Sequence, residues 1–181
     1  KHGIISVEVD NMYAYLKGII KEVEPTYVTL ENNGIGYLII TPNSYRYRLE
    51  QDVKIYIHHY VREDINNLYG FVSKKERNLF IDLISVSGIG PKSALAILST
   101  GETDKIIYAI DTGNVKYLTQ FPGIGPKSAQ QIILDLKGKI SEVSFEESSE
   151  VKEALKSLGY NNKEINRALS KVDVTKPLEE I

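Results

Sequence analysis

The seven residues Gly-Ile-Gly-Pro-Lys-Ser-Ala occur twice, at Gly88–Ala94 and at Gly123–Ala129, offset by 35 residues. The flanks match as well. Leu83-Ile84 precedes the first copy and Tyr117-Leu118 the second, while Leu95-Ala96-Ile97-Leu98 and Ile132-Ile133-Leu134 follow. Apolar residues at helical spacing on either side of a glycine-rich tetrapeptide predict helix, hairpin, helix, twice over.

The repeated residues suit one kind of ligand. Two glycines allow backbone conformations that a Cβ would obstruct, and they let the chain approach a ligand closely. Pro91 and Pro126 fit the first turn of the next helix, where a missing N–H costs nothing. The free amides of the hairpin and helix start then converge on an electropositive point that suits a phosphate oxygen. Lys92 and Lys127 add charge there, and Ser93 and Ser128 add hydroxyl donors. Ile89 and Ile124 are expected to plug inward and hold the helices together. The candidate DNA-contacting residues are therefore Ser87, Gly88, Ile89, Gly90, Lys92 and Ser93 in the first copy. In the second they are Gly123, Ile124, Gly125, Lys127 and Ser128. A contact of this kind reads the backbone and not the bases, so sequence preference should be weak.

One copy alone reads equally well as a tight interhelical turn. Two identical copies with Lys and Ser in register favour phosphate. A Walker loop needs a Gly-Lys-Ser/Thr run after a strand, and neither copy supplies it, so an ATPase is not expected. No cofactor is expected either.

The formal net charge of −2 is unusual for a DNA binder, so its distribution matters. Residues 12–73 carry 6 basic and 7 acidic groups, residues 74–140 carry 9 and 6, and residues 141–181 carry 6 and 9. The middle third, which holds both hairpins, is the only basic part, and phosphate contacts are expected there.

Around the hairpins the chain changes character. Tyr13–Val23, Tyr27–Asn32, Ile35–Thr41, Val53–Val61 and Asn67–Phe71 are rich in Val, Ile, Tyr and Thr. Turn signals at Glu24-Pro25, Asn33-Gly34, Thr41-Pro42-Asn43 and Asn66-Asn67 divide them. Five short strands predict a small closed barrel of the OB type. Ser73 and Glu76 then form a capping box that opens the helical part. Ser141–Glu150 is polar and acidic and reads as a flexible linker. Two short amphipathic helices are expected over Val151–Leu158 and Asn162–Lys171, with a third beginning near Pro177. Residues 1–11 read as a leader, or as residues extraneous to the natural chain, with Met12 as the natural start.

The chain has no cysteine, which excludes disulfides, thiolate zinc sites, iron–sulfur clusters and a cysteine nucleophile, and fits a cytoplasmic location. No apolar run is long enough for a membrane helix, so no membrane association is expected. His58 and His59 are adjacent on a predicted strand, so their rings face opposite ways and do not share a metal simply. No metal site is expected. The tyrosines, Tyr45, Tyr47, Tyr56 and Tyr60 among them, are expected to pack or anchor interfaces more than to stack on bases.

Further motifs widen the pattern. Val61-Arg62-Glu63-Asp64 is followed by Leu68-Tyr69-Gly70-Phe71, and Ala154-Leu155 leads to Leu158-Gly159-Tyr160. With the two hairpins, these make nearly all of Met12–Ile181 resemble the RuvA family of Holliday junction branch-migration proteins. Tandem hairpins are shared by many repair proteins; the Arg-Glu-Asp turn before them is more specific. The resemblance implies an α+β multidomain fold. An N-terminal OB-fold barrel (12–73) would be followed by a central all-α tandem helix-hairpin-helix domain (74–140), the linker (141–150) and a small UBA-like helical domain (151–181). It implies a homotetramer, or an octamer around DNA, in which the barrel builds the oligomer and the hairpins grip four-way junction DNA. The last domain would bind the RuvB ATPase through Leu155, Leu158 and Tyr160, and the RuvC resolvase would join the complex. Glu63 and Asp64 map onto the family's acidic pin, and Arg62 onto its neighbouring arginine.

Two departures stand out. Where better-known members carry Lys-Lys after the second Gly-Ile-Gly and an arginine in the helix beyond, this chain has Pro126-Lys127 and Gln131. The third C-terminal helix is expected to be incomplete at Ile181.

Taken alone, Glu63 and Asp64 read first as a solvated turn. Their functional reading is electrostatic: carboxylates at a junction centre repel phosphate and favour an open, square junction. The first rival reading is the delivery module of a repair nuclease or glycosylase, which the sequence supplies with neither a convergent carboxylate cluster nor a cluster-binding cysteine set. The second is a single-strand binder working through the barrel.

Overall fold

Alternation of apolar and polar residues produces five strands: β1 (Tyr15–Val23), β2 (Tyr27–Asn32), β3 (Ile35–Ile40), β4 (Asp52–Arg62) and β5 (Ile65–Phe71). The structure is a computed structural model, and it describes residues 12–140 and Tyr160. The expected leader, the acidic linker and, apart from Tyr160, the C-terminal helices lie outside the described residues. The chain divides into two compact units, Lys1–Lys137 and Gly138–Ile181; the barrel and the helices described below belong to the first.

The strands close into a barrel in the order β1-β2-β3-β5-β4. Every pairing is antiparallel except β3 with β5. Successive side chains point to opposite faces, so Val28 and Leu30 of β2 and Ile55 and Ile57 of β4 fall on the inside. With Ile20 and Ile39 they are fully buried. The β2–β3 hairpin turns on Asn33 (φ 49°) and Gly34 (φ 80°), the paired left-handed conformation that a two-residue loop needs.

The second hairpin corrects the sequence reading. Asn66 and Asn67 are not a turn: they lie within β5, opposite Val61 and Tyr60. The turn is Glu63-Asp64, closed by Arg62 facing Ile65. Asn66 finds a partner inside the sheet, with His59 Nε2 2.7 Å from its Oδ1, and this offsets its low intrinsic preference for strand.

Five helices follow: α1 (Lys74–Ser85), α2 (Pro91–Leu98), α3 (Thr103–Asp111), α4 (Val115–Leu118) and α5 (Pro126–Leu136). The amide of Glu76 donates to Ser73 Oγ at 3.1 Å, as a capping box requires. The Glu76 carboxylate departs from that pattern. Its Oε2 accepts from the Val72 amide at 3.2 Å, and its Oε1 accepts from Arg46 at 2.8 Å. Arg46 sits on the 3-10 turn Ser44–Arg46 between β3 and β4, so a nearly inaccessible carboxylate ties α1 to the barrel. Phe80 does the same through apolar contact. It is fully buried, with ring centroids 4.9 Å from Phe71 and 5.0 Å from Tyr69.

Candidate nucleic-acid interface

The two hairpins have the same backbone. Gly88 (φ +83°) and Gly123 (φ +81°) both occupy the left-handed region that disfavours a Cβ. Gly90 (φ −95°, ψ 174°) and Gly125 (φ −85°, ψ 173°) are extended, and a Cβ on either would meet nothing. Sequence reasoning gives both glycines of each copy one conformational role. The structure divides that role: the first glycine makes the turn, and the second keeps the surface open above it.

Ile89 and Ile124 are wedges, each 4 % exposed. Their amides are also committed, donating to Val86 O at 3.0 Å and to Phe121 O at 3.1 Å. Of the residues expected to contact DNA, these two support the loop from beneath. The helix starts supply free amides. Gly90 and Gly125 are N-caps with no side chain to bond the first turn. The amides of Ala94 and Ala129 bond back to Gly90 and Gly125 at 3.0 and 2.9 Å. The preceding pairs, Lys92–Ser93 and Lys127–Ser128, are thus left with amides for an outside acceptor. Lys92, Lys127, Ser87, Gly88, Gly90, Gly123 and Gly125 are exposed, and Ser93 and Ser128 are half-buried.

Both loops lie on one surface. A Cβ placed on Gly123 would sit 3.8 Å from Ser93 Oγ, so the second hairpin adjoins the start of the helix that follows the first. Two cationic, amide-rich points side by side suit two phosphates of one backbone.

The RuvA N terminal domain model matches residues 12–70, and the SAM-like helix-hairpin-helix tandem model matches residues 80–138. The RuvA C-terminal domain model matches residues 146–181. A relative from Acholeplasma laidlawii, named Holliday junction branch migration complex subunit RuvA, is 49% identical over 179 residues, covering 93% of this chain and 96% of the relative. Relatives of the same name from Bacillus cytotoxicus and Bacillus thuringiensis are 46% and 45% identical, each comparison covering 87% of both chains.

The chain belongs to the RuvA family.

The Glu63-Asp64 turn exposes both residues to solvent at the tip of the β4–β5 hairpin. Among the described residues neither carboxylate forms an ion pair. Arg62 beside them turns away: its guanidinium lies 4.7 Å from the Tyr60 ring centroid and donates to Val61 O at 2.9 Å. Arg62 lines a groove of about 340 Å³ with Tyr60 and with Ile81, Ile84 and Ser85 of α1. That end of α1 leads into the first hairpin. The basic hairpins and the acidic tip are therefore linked through a short stretch of the same unit.

The other candidates fall where their contacts hold them. His58 packs on Phe80 at 5.8 Å while His59 packs on Tyr13 at 5.6 Å, on opposite sides of β4. Among the described residues no group of three metal-ligating side chains converges. Tyr47 is buried, which pushes its phenol well above the ordinary range, and Tyr60 is half-buried against Tyr69. Tyr45 is 72 % exposed, so packing does not account for it. Of the three residues expected to bind an ATPase partner, Leu155 and Leu158 lie outside the described residues; Tyr160 is 53 % exposed. Sequence reasoning misses the Arg46–Glu76 pair altogether. Its partners are 30 residues apart and Arg46 belongs to no motif, so only the folded chain joins them.

Proposed function

We propose that this chain recognises Holliday junction DNA by shape, as the non-catalytic DNA-binding subunit of a branch-migration complex. The carrying observation is the pair of matched hairpins on one surface, each with open helix-start amides and a lysine. They grip the backbone of a duplex arm through Ser87, Gly88, Gly90, Lys92 and Ser93 and through Gly123, Gly125, Lys127 and Ser128, with Ile89 and Ile124 as supports. Glu63 and Asp64 repel phosphate at the junction centre, and Arg62 holds a strand beside them. The relatives' name, branch migration complex subunit, supports an assembly with a separate ATPase.

In this reading residues 12–73 form the oligomerisation and junction-core domain and residues 74–140 the DNA grip. Residues 141–150 are the linker, and residues 151–181 bind the RuvB ATPase through Leu155, Leu158 and Tyr160. The protein works as a homotetramer or as an octamer enclosing the DNA, and the RuvC resolvase joins the same complex. Its DNA substrate makes the cytoplasm its working compartment. Among the described residues no helix is long and apolar enough to cross a membrane.

The test is binding to a four-way junction and to a linear duplex of equal arm length, by gel shift across a salt series with magnesium and without ATPase. Tighter binding to the junction, with neither DNA cut, is the expected result. Equal affinity would reduce the hairpins to a generic grip, and nicking or base release would revive the nuclease or glycosylase reading.

A further inference from the structure

The acidic tip is effective only while its charge is unneutralised, yet an arginine immediately precedes it. Strand alternation sets His58, Tyr60 and Arg62 on one side of β4, facing α1. Tyr60 is held in place from behind. Its ring meets Tyr69 edge-on at 6.0 Å and His58 at 6.1 Å, and Tyr69 in turn packs on the fully buried Phe80 at 5.0 Å. The Arg62 guanidinium lies over this ring, with one N–H bonded to its neighbour's carbonyl. Glu63 and Asp64 are left without a cationic partner among the described residues.

We infer that Tyr60 is a positioning residue for junction recognition: its ring holds Arg62 back from Glu63 and Asp64, keeping the tip anionic and the guanidinium open to phosphate. The inference rests on the acidic-tip reading proposed above. Without the ring, Arg62 is free to fold onto the adjacent carboxylates, which are its nearest counter-charges in sequence. One turn would then lose both its repulsion and its phosphate donor. Arginine suits this arrangement better than lysine, because a planar guanidinium stacks on a ring while keeping in-plane N–H groups available.

The experiment compares junction-to-duplex affinity ratios for the full chain and its variants at low and moderate salt. Tyr60→Leu is expected to lower the ratio by roughly two- to fivefold, the scale of an exposed cation–π contact. Tyr60→Phe, which keeps the ring and drops only the hydroxyl, is expected to retain the parent's ratio. In a Glu63→Gln/Asp64→Asn background, Tyr60→Leu should add no further loss of selectivity, since Arg62 has no carboxylate to reach. A merely structural role would predict equal loss with both DNAs, or a loss with Tyr60→Phe; either overturns the inference. If Glu63→Gln/Asp64→Asn itself leaves the ratio unchanged, the acidic-tip reading fails and takes the inference with it. If that double variant loses selectivity while Tyr60→Leu does not, only the positioning role fails. Should Tyr60→Leu not fold, the Arg62 side-chain NMR signals of the parent decide. They are expected to stay put when Glu63 and Asp64 are neutralised, and a shift typical of a broken ion pair would overturn the inference.

Discussion

The two hairpins share seven residues, one backbone and one wedge, but not one foundation. The first stands between α1, a three-turn helix with a side-chain cap, and α2; the second stands between α4, a single turn, and α5. Behind the first lies the barrel, through Phe80 on Phe71 and through the Arg46–Glu76 pair. Behind the second the main contacts of α5 are with α3 and α4, and Leu118, Phe121, Ile132 and Leu136 are buried. An identical local sequence thus reproduces an identical loop backbone on two unlike supports. Local torsions and wedge burial suffice for the loop's shape, whereas the support decides what disturbs it.

The largest effect should come from the support that only the first hairpin has. The Glu76 side chain is 2% accessible and that of Arg46 32%. Arg46→Met would leave a buried carboxylate without its cation and should cost about 3 kcal/mol, the low end for a broken buried pair because Arg46 is partly solvated. Urea unfolding measures it. A loss under about 1 kcal/mol would mean that the pair behaves like an exposed one and that Phe80 carries the first hairpin's tie to the barrel.

Next come the glycines, which separate turn geometry from ligand access. Gly88→Ala and Gly123→Ala each force a Cβ into left-handed torsions and should cost about 1–2 kcal/mol of stability. Gly90→Ala and Gly125→Ala should change stability by less than about 0.5 kcal/mol, since a Cβ there meets nothing. All four should weaken binding to every DNA sequence alike. If the second pair bind DNA normally, close approach to phosphate is not what those glycines provide.

Smaller still is the effect of one charge. Lys92→Gln and Lys127→Gln should each make the slope of log affinity against log salt shallower by about 1, the effect of one phosphate no longer neutralised. Equal reductions would mean that the two loops carry equal shares. A change from Lys92 alone would make the second hairpin, with Gln131 beyond it, the weaker partner.

The smallest expected effect belongs again to the first hairpin's support. Burial raises the Asp82 carboxyl above its ordinary value of 3.8. A raised acid favours the folded state while protonated, so that contribution is present below pH 3.8 and is lost as pH rises through the folded value. Asp82→Asn should therefore raise stability at pH 7, by less than about 1 kcal/mol, and give no gain below the unfolded value. Thermal melts at the two pH values measure it. A gain that persists in acid would show that the carboxylate's charge is not the cause.

Much of this is legible in the residues alone. The strands announce themselves by alternation because one face of each must be buried in a small barrel. The hairpins announce themselves because a left-handed position, an N-terminal proline and an inward isoleucine are local requirements that specific residue types meet. Asn66-Asn67 misleads because asparagine's usual preference for turns carries no information about His59, which lies across the sheet and gives Asn66 a partner. Likewise Glu76 is legible as a capping residue, but its carboxylate reaches Val72 and Arg46 rather than the Ser73 amide.

The sequence by itself determined the elements, the repeat, the uneven charge and the family, since each depends on residue types at short, fixed spacings. Tertiary structure alone decided that both loops share a surface and that a carboxylate links helix to barrel. Those two facts depend on which segments the closed barrel and the helices bring within a few ångströms, whereas Arg62 meets Tyr60 along its own strand, and its choice of that ring over Glu63 or Asp64 is made only once the chain has folded.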